Sequence, residues 1–274
     1  MDVDRAWDKL HARLVDEKLI EQSTKTVSVS FSSKMRWAAS IALLCVLGGT
    51  VGLYVGLKKE ESVPFISIHN SDVINTLVRT LDDGSVVYLA GGSALTCPEK
   101  FATDKRQVSL HGEALFDVHG DKSCPFLIET EPALVEVTGT EFHVKSDGKE
   151  SFVLSVLHGS VVVSLKPDGL PVSVESGETV LLQAGRLHQT ESVDQRLFAR
   201  YTQQMQFKDE RLEHIVRVIN KISDKPIIFA DSDLKNRELT ITFSNNTADE
   251  MVELLCVALE LKFSDNGGEM VIGR

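Results

Sequence analysis

SVVYLA (residues 85–90), SALTC (93–97), RQVSLHGEALFDV (106–118), PFLIET (125–130), ALVEVTG (133–139), TEFHVKS (140–146), SFVLSVL (151–157), SVVVSL (160–165) and ETVLLQ (178–183) follow one another as short alternating or apolar runs. Asp82-Asp83-Gly84, Gly91-Gly92, Ser146-Asp147-Gly148, His158-Gly159 and Pro167-Asp168-Gly169 stand between them. Successive side chains on a strand point to opposite faces, so short runs spaced about ten residues apart and closed by Asp-Gly turns predict an antiparallel β-sandwich or jelly roll. That domain is expected over residues 79–186, with no room for long helices.

Downstream, a polar linker over 187–204 precedes a different period. Leu212, Ile215, Val216 and Ile219 are spaced as one face of a helix, and Pro226-Ile227-Ile228-Phe229 reads as a short strand. Leu239 to Phe243 reads as another strand, Thr247 to Leu259 as a second helix, and Lys262 to Ser264 and Met270 to Ile272 flank the turn Asn266-Gly267-Gly268. Asn246 or Thr247 supplies the cap of the second helix, with Asp249 and Glu250 at its positive end. Residues 205–274 therefore predict a small β-α-β-β-α-β domain, making the chain mainly β with an α+β tail.

Upstream, residues 37–57 (WAASIALLCVLGGTVGLYVGL) contain no charged side chain over 21 positions. At about 1.5 Å per residue such a helix covers the roughly 30 Å hydrocarbon core, so a single transmembrane helix is expected over 35–57. A cleaved signal peptide would begin nearer residue 1 and carry a shorter apolar region. Arg5, Lys9, Arg13, Lys18, Lys25, Lys34 and Arg36 precede the span, against Lys58 and Lys59 just after it, which puts the N-terminus in the cytoplasm. Residues 1–34 then form a cytoplasmic segment and 58–78 a juxtamembrane connector.

The formal net charge is −11. Residues 58–274 carry 22 Lys/Arg against 34 Asp/Glu, and this acidic outer part argues against direct nucleic-acid binding and against an anionic membrane surface as partner. Of the four cysteines, Cys45 lies in the span and Cys256 in an apolar helix face, leaving a Cys97–Cys124 bridge open.

His111 with Glu113, His119, and Glu141 with His143 are the residues on which a metal or catalytic site would rest, because alternate strand positions share a face. The cupin ligand spacing is missing, and so are Gly-x-Ser-x-Gly, phosphate-loop and His-Glu-x-x-His motifs, so scattered surface histidines are expected, with no catalytic residue, metal or cofactor. Binding carries the other signals. Val3, Trp7, Leu10 and Leu14 draw a single apolar stripe on a helix with no core of its own to bury it, which fits a partner or else the membrane surface. Gly48, Gly52 and Gly56 recur every four residues of the span, bare backbone that permits helix packing or loosens the helix for an intramembrane protease.

Asp82 to Leu89, Gly92 to Thr96, Pro98 to Phe101, Gly112 to Val118, Pro125-Phe126 and Gly139-Thr140-Glu141-Phe142-His143-Val144 resemble, in order and spacing, the periplasmic domain of FecR-type anti-sigma factors. The tail resembles the C-terminal domain that often follows it, akin to the short N-terminal domain of secretins and TonB-dependent receptors. The resemblance implies an inner-membrane protein with periplasmic C-terminal domains. It would sense the signalling domain of a TonB-dependent outer-membrane receptor and hold or activate an extracytoplasmic-function sigma factor. Val3, Trp7, Leu10 and Leu14 would then bind the sigma factor. An exposed sheet edge at Leu239, Ile241 and Phe243, or at Met270 and Ile272, would meet the receptor. Family members commonly carry a longer cytoplasmic region, of which Asp2 to Leu10 resembles the membrane-proximal part. An envelope scaffold or adhesion protein without a transcriptional partner is the alternative.

Overall fold

The computed structural model describes residues 3–16, 64–194 and 196–274. The chain divides into two units, residues 1–61 and 62–274, each taken by itself. In the first, helix α1 (Val3–Asp16) is amphipathic and keeps Trp7 and Leu10 exposed, with Leu14 half-buried. The expected span over 35–57, with Gly48, Gly52 and Gly56, lies outside the described residues. Among those described, no helix is long and apolar enough to cross a membrane.

The second unit begins with β1 (Phe65–His69), β2 (Thr76–Thr80), β3 (Val86–Leu89), β4 (Ala94–Pro98) and the long β5 (Arg106–Asp117). It continues through β6 (Phe126–Glu129), β7 (Ala133–Val137), β8 (Glu141–Ser146), β9 (Val153–His158), β10 (Ser160–Leu165), β11 (Val172–Glu175), β12 (Thr179–Gln183) and β13 (Arg186–Thr190). One sheet has the order β1-β4-β5-β6-β7-β10-β11. The other begins β13-β12-β9-β8-β5-β3-β2.

Strand β5 belongs to both sheets. Its first half pairs with β4 and β6, and from Gly112 onward it pairs with β8 and β3. The crossing point is Gly112, whose φ of +99° suits glycine alone. A Cβ there would overlap the Cα, Cβ and Oγ of Ser93. The sheets close on an apolar interior holding Phe116, Phe126 and Phe142, with the Phe116 and Phe142 rings stacked at 5.5 Å. Burying each such side chain is worth about 1.5–3 kcal/mol, so this layer is a principal source of stability. The antiparallel sandwich expectation holds apart from parallel pairings of β5 with β6 and of β2 with the strand described next.

After helix α2 (Leu197–Gln203) come β14 (Gln204–Arg211), α3 (Leu212–Ile219), β15 (Ile227–Phe229), a 3₁₀ turn (Ser232–Asn236), β16 (Glu238–Ser244), α4 (Ala248–Leu259), β17 (Lys262–Asp265) and β18 (Met270–Gly273). Thr247 and Glu250 form a reciprocal capping box at the start of α4. The order is β-α-β-β-α-β-β, one strand more than expected, and the strands do not share one sheet. β14 pairs in parallel with β2 through Met205↔Thr76 and Gln206↔Leu77, and β16 pairs antiparallel with β14. β15, β18 and β17 form a separate three-stranded sheet.

A second core joins the two parts. Val78, Val86, Tyr88 and Leu115 on the outer face of the sandwich pack with Met205, Phe207, Leu212, Ile215, Phe243 and Leu255 of the C-terminal part. The segment expected as a connector carries β1 and β2, and the one expected as a linker carries β13 and α2. β1 and β13 were hidden for the same reason. Both are almost fully exposed edge strands, so neither carries a buried apolar face to betray it.

Candidate interaction site

β16 ends the larger sheet. It pairs with β14 on one side only, and among the described residues no strand pairs with its other edge. Its backbone N–H and C=O groups there remain available to another chain. Leu239 and Ile241 are half-buried and Phe243 fully buried against the second core, where Phe243 meets the Phe207 ring edge-on at 6.0 Å. These three side chains therefore hold the strand in place, and the groups on offer are the backbone edge with exposed Glu238, Thr240, Thr242 and Ser244.

The second expected edge is corrected. β18 is the middle strand of its sheet, paired with β15 and β17, and Met270 and Ile272 are 2% and 0% exposed. A run of alternating apolar residues looks the same at an edge and at a centre, because what decides is which strands lie beside it. Met270 and Ile272 serve the core.

Next to β16, β14 carries an irregularity between Phe207 and Glu210, where Asp209 takes a φ of +47°. Thr240 Oγ1 donates to Asp209 Oδ1 at 3.0 Å and accepts from Asp209 N at 2.9 Å, locking the bulge to the edge strand. The bulge carries Glu210 inward. It is 4% exposed, receives His214 Nδ1 at 2.6 Å and lies 3.6 Å from Arg79 Nε on β2. Arg79 Nη1 also donates to Lys208 O at 2.5 Å. Charged groups thus tie the strand beside β16 back to the sandwich.

A stronger tie lies at Glu113 on β5. Its Oε1 accepts from His143 Nε2 at 3.0 Å, Arg200 Nη2 at 2.9 Å and Tyr201 Oη at 2.9 Å, and Lys145 Nζ lies 3.2 Å from Oε2. Arg200 and Tyr201 sit on α2, so this carboxylate pins the helix leading into β14 onto the sandwich. The His143 hydrogen bond, helped by Tyr201 and Lys145, outweighs burial and lowers the Glu113 pKa to about 2. Burial first, and the Glu113 charge second, push the Tyr201 hydroxyl well above its ordinary range, so it stays a donor. Across the same junction Lys221 pairs with Asp117, burial pulling its pKa down, and Arg217 Nη1 reaches Gly84 O at 3.4 Å.

His143 is buried, which corrects its expected place among surface histidines. Glu141 pairs with exposed His158 at 3.0 Å. Among the described residues no group of three metal-ligating side chains comes together. Cys97, Cys124 and Cys256 are buried free thiols, which resolves the open bridge. Glu113 and His143 stood out in the sequence, though not as partners of each other, whereas Arg200 and Tyr201, almost ninety residues beyond Glu113, carried no sequence signal.

The fold is thus a two-sheet sandwich whose outer face docks a small α+β part with, among the described residues, one open strand edge at β16. The FecR protein profile matches residues 75–162, and the FecR C-terminal profile matches residues 204–272. The chain belongs to the FecR family of anti-sigma factors, a regulatory kind of protein whose partners are sigma factors and whose members are generally membrane-anchored. It is similar to two crystal structures of a candidate anti-sigma factor from Parabacteroides distasonis ATCC 8503, at 2.50 and 1.65 Å resolution. Each is 21% identical and covers 77% of this chain and 99% of that one, with TM-scores of 0.47 and 0.45. None of the curated proteins matches it.

Proposed function

We propose that this chain relays ligand engagement of a TonB-dependent outer-membrane receptor to an extracytoplasmic-function sigma factor. A single span over 35–57 would hold it in the inner membrane, with residues 1–34 cytoplasmic and 58–274 periplasmic. The observation that carries the reading is the presence of two elements that are open among the described residues of a FecR-family chain: the exposed stripe of Trp7 and Leu10 on α1 and the free edge of β16. The stripe, with Val3 and Leu14, fits a groove on the sigma factor, and the edge fits an added strand from the receptor's periplasmic signalling domain. Gly48, Gly52 and Gly56 support helix association in the span or access by an intramembrane protease.

The test of the receiving end is an edge variant. Lysines at the rim of an edge strand obstruct pairing by another strand. Glu238→Lys with Thr242→Lys should leave the protein folded and in the membrane but abolish induction of the sigma-dependent genes by receptor ligand. Normal induction in that variant refutes the assignment to β16. A periplasm-only reporter enzyme fused after Arg274 should be active, and an inactive fusion refutes the topology.

A further inference from the structure

Exposed large apolar side chains are unevenly spread over the sandwich. They are Phe65, Ile66, Val73, Ile74, Val162 and Leu170, and the first four fall within the ten residues that open the folded unit. Phe65 and Ile66 start β1, the terminal strand of the first sheet, which among the described residues pairs with β4 alone. Val73 and Ile74, 83% and 70% exposed, cap the loop that follows.

This loop is built rather than loose. Asp72 Oδ1 accepts from the amides of Ile74 at 2.9 Å and Asn75 at 3.1 Å, and its Oδ2 accepts from Asn75 Nδ2 at 2.7 Å. Buried Asn70 donates through Nδ2 to Asn75 O and Leu89 O at 2.8 and 2.9 Å. The loop backbone presses so closely on Gly91 that a Cβ there would collide with Val73. Two aliphatic side chains are thus held outward by a rigid support, where a merely solvated loop would carry polar residues.

The chain's own course says what covers them. Only residues 58–64 separate the end of the apolar segment at Leu57 from Phe65, a tether of at most about 25 Å when fully extended. From Phe65 the chain reaches the loop after a five-residue strand, about 3.3 Å per residue. The loop therefore stays within reach of the lipid surface, at an effective concentration on the order of millimolar. Charge agrees with this placement. In a part with 22 basic and 34 acidic residues, the stretch 64–75 carries a single charged side chain, Asp72, whose oxygens are turned onto the loop's own donors.

We propose that the rim from Phe65 to Ile74 rests on the outer surface of the membrane that the chain crosses, with Val73 and Ile74 entering the acyl boundary. The contact is apolar, so it takes zwitterionic lipid and needs no anionic headgroup. It rests on the reading of residues 35–57 as a span. Seated this way, the sandwich is held at the bilayer by two points, the tether and the loop.

The full chain, with Trp7→Phe and Trp37→Phe as background, carries one new tryptophan at Ile74 or at Leu170, both exposed. It is reconstituted into phosphatidylcholine vesicles containing brominated acyl chains, and flotation is checked before fluorescence is read. Bromine should quench Ile74→Trp at least twofold more than Leu170→Trp, and Val73→Trp should repeat the result if Ile74→Trp misfolds. Equal quenching at both positions in floating vesicles overturns the proposal. So does quenching that varies with the protein-to-lipid ratio, which would mark a second copy as the occupant. A chain that fails to float refutes the span instead, and the proposal falls with it.

Discussion

Glu113 shows how much one side chain can decide. Its folded pKa of about 2 lies below the ordinary 4.5, so its stabilising contribution is present above about pH 4.5 and is lost as the pH falls toward 2. At neutral pH, Glu113→Ala leaves the buried His143 ring and the Tyr201 hydroxyl without their acceptor, at a cost of about 1–3 kcal/mol. Thermal melts of the detergent-solubilised full chain should show this difference at pH 7 and show it shrinking by pH 3. A difference that grows with acidity would reverse the assigned sign. At Gly112 the prediction concerns backbone. Gly112→Ala forces a side chain into a φ of +99° and onto Ser93, whose Oγ accepts from the Glu113 amide at 2.8 Å. The cost should be at least about 2 kcal/mol, read as a lowered urea midpoint with unchanged slope.

At the scale of elements, β16 shows where sequence reading stops. The alternation of Leu239, Ile241 and Phe243 correctly implied a strand, and the same reasoning implied one at Met270 to Ile272. Which of the two is an edge depends on pairing between residues distant in sequence, and that is not written in either run. The sandwich strands were legible because their alternation is strong and their turns carry Gly and Asp, whereas β1 and β13 bury too little to leave a pattern and α2, at seven residues, is too short to show a helical period. β16 also yields an expectation. Since its apolar side chains face the core, Thr242→Lys alone should leave the melting temperature within about 2 °C of wild type, a surface change worth no more than about 0.5 kcal/mol. A larger drop would mean that its outer face is covered.

For the whole molecule, the continuous sheet through β2 and β14 and the shared second core join the two FecR parts into one cooperative body. Urea unfolding of residues 62–274 within the full chain should therefore give coincident transitions for a probe in the sandwich and one in α4. Two separated transitions would show that the junction is weaker than its contacts imply. A signal received at β16 would in that case stop at the junction rather than move the sandwich.

The proposed relay depends on the stripe of α1 as much as on this body. A tryptophan anchor of the Trp7 kind is worth about 2 kcal/mol or more, roughly a thirtyfold change in affinity. The direct measurement is the affinity of the full-length, membrane-inserted protein for each extracytoplasmic-function sigma factor of its source genome, beside the Trp7→Ala, Leu10→Ala, Leu14→Ala variant. One sigma factor should be captured, and the variant should bind it at least about thirtyfold more weakly. Capture of none, or equal capture by the variant, would contradict the proposed relay.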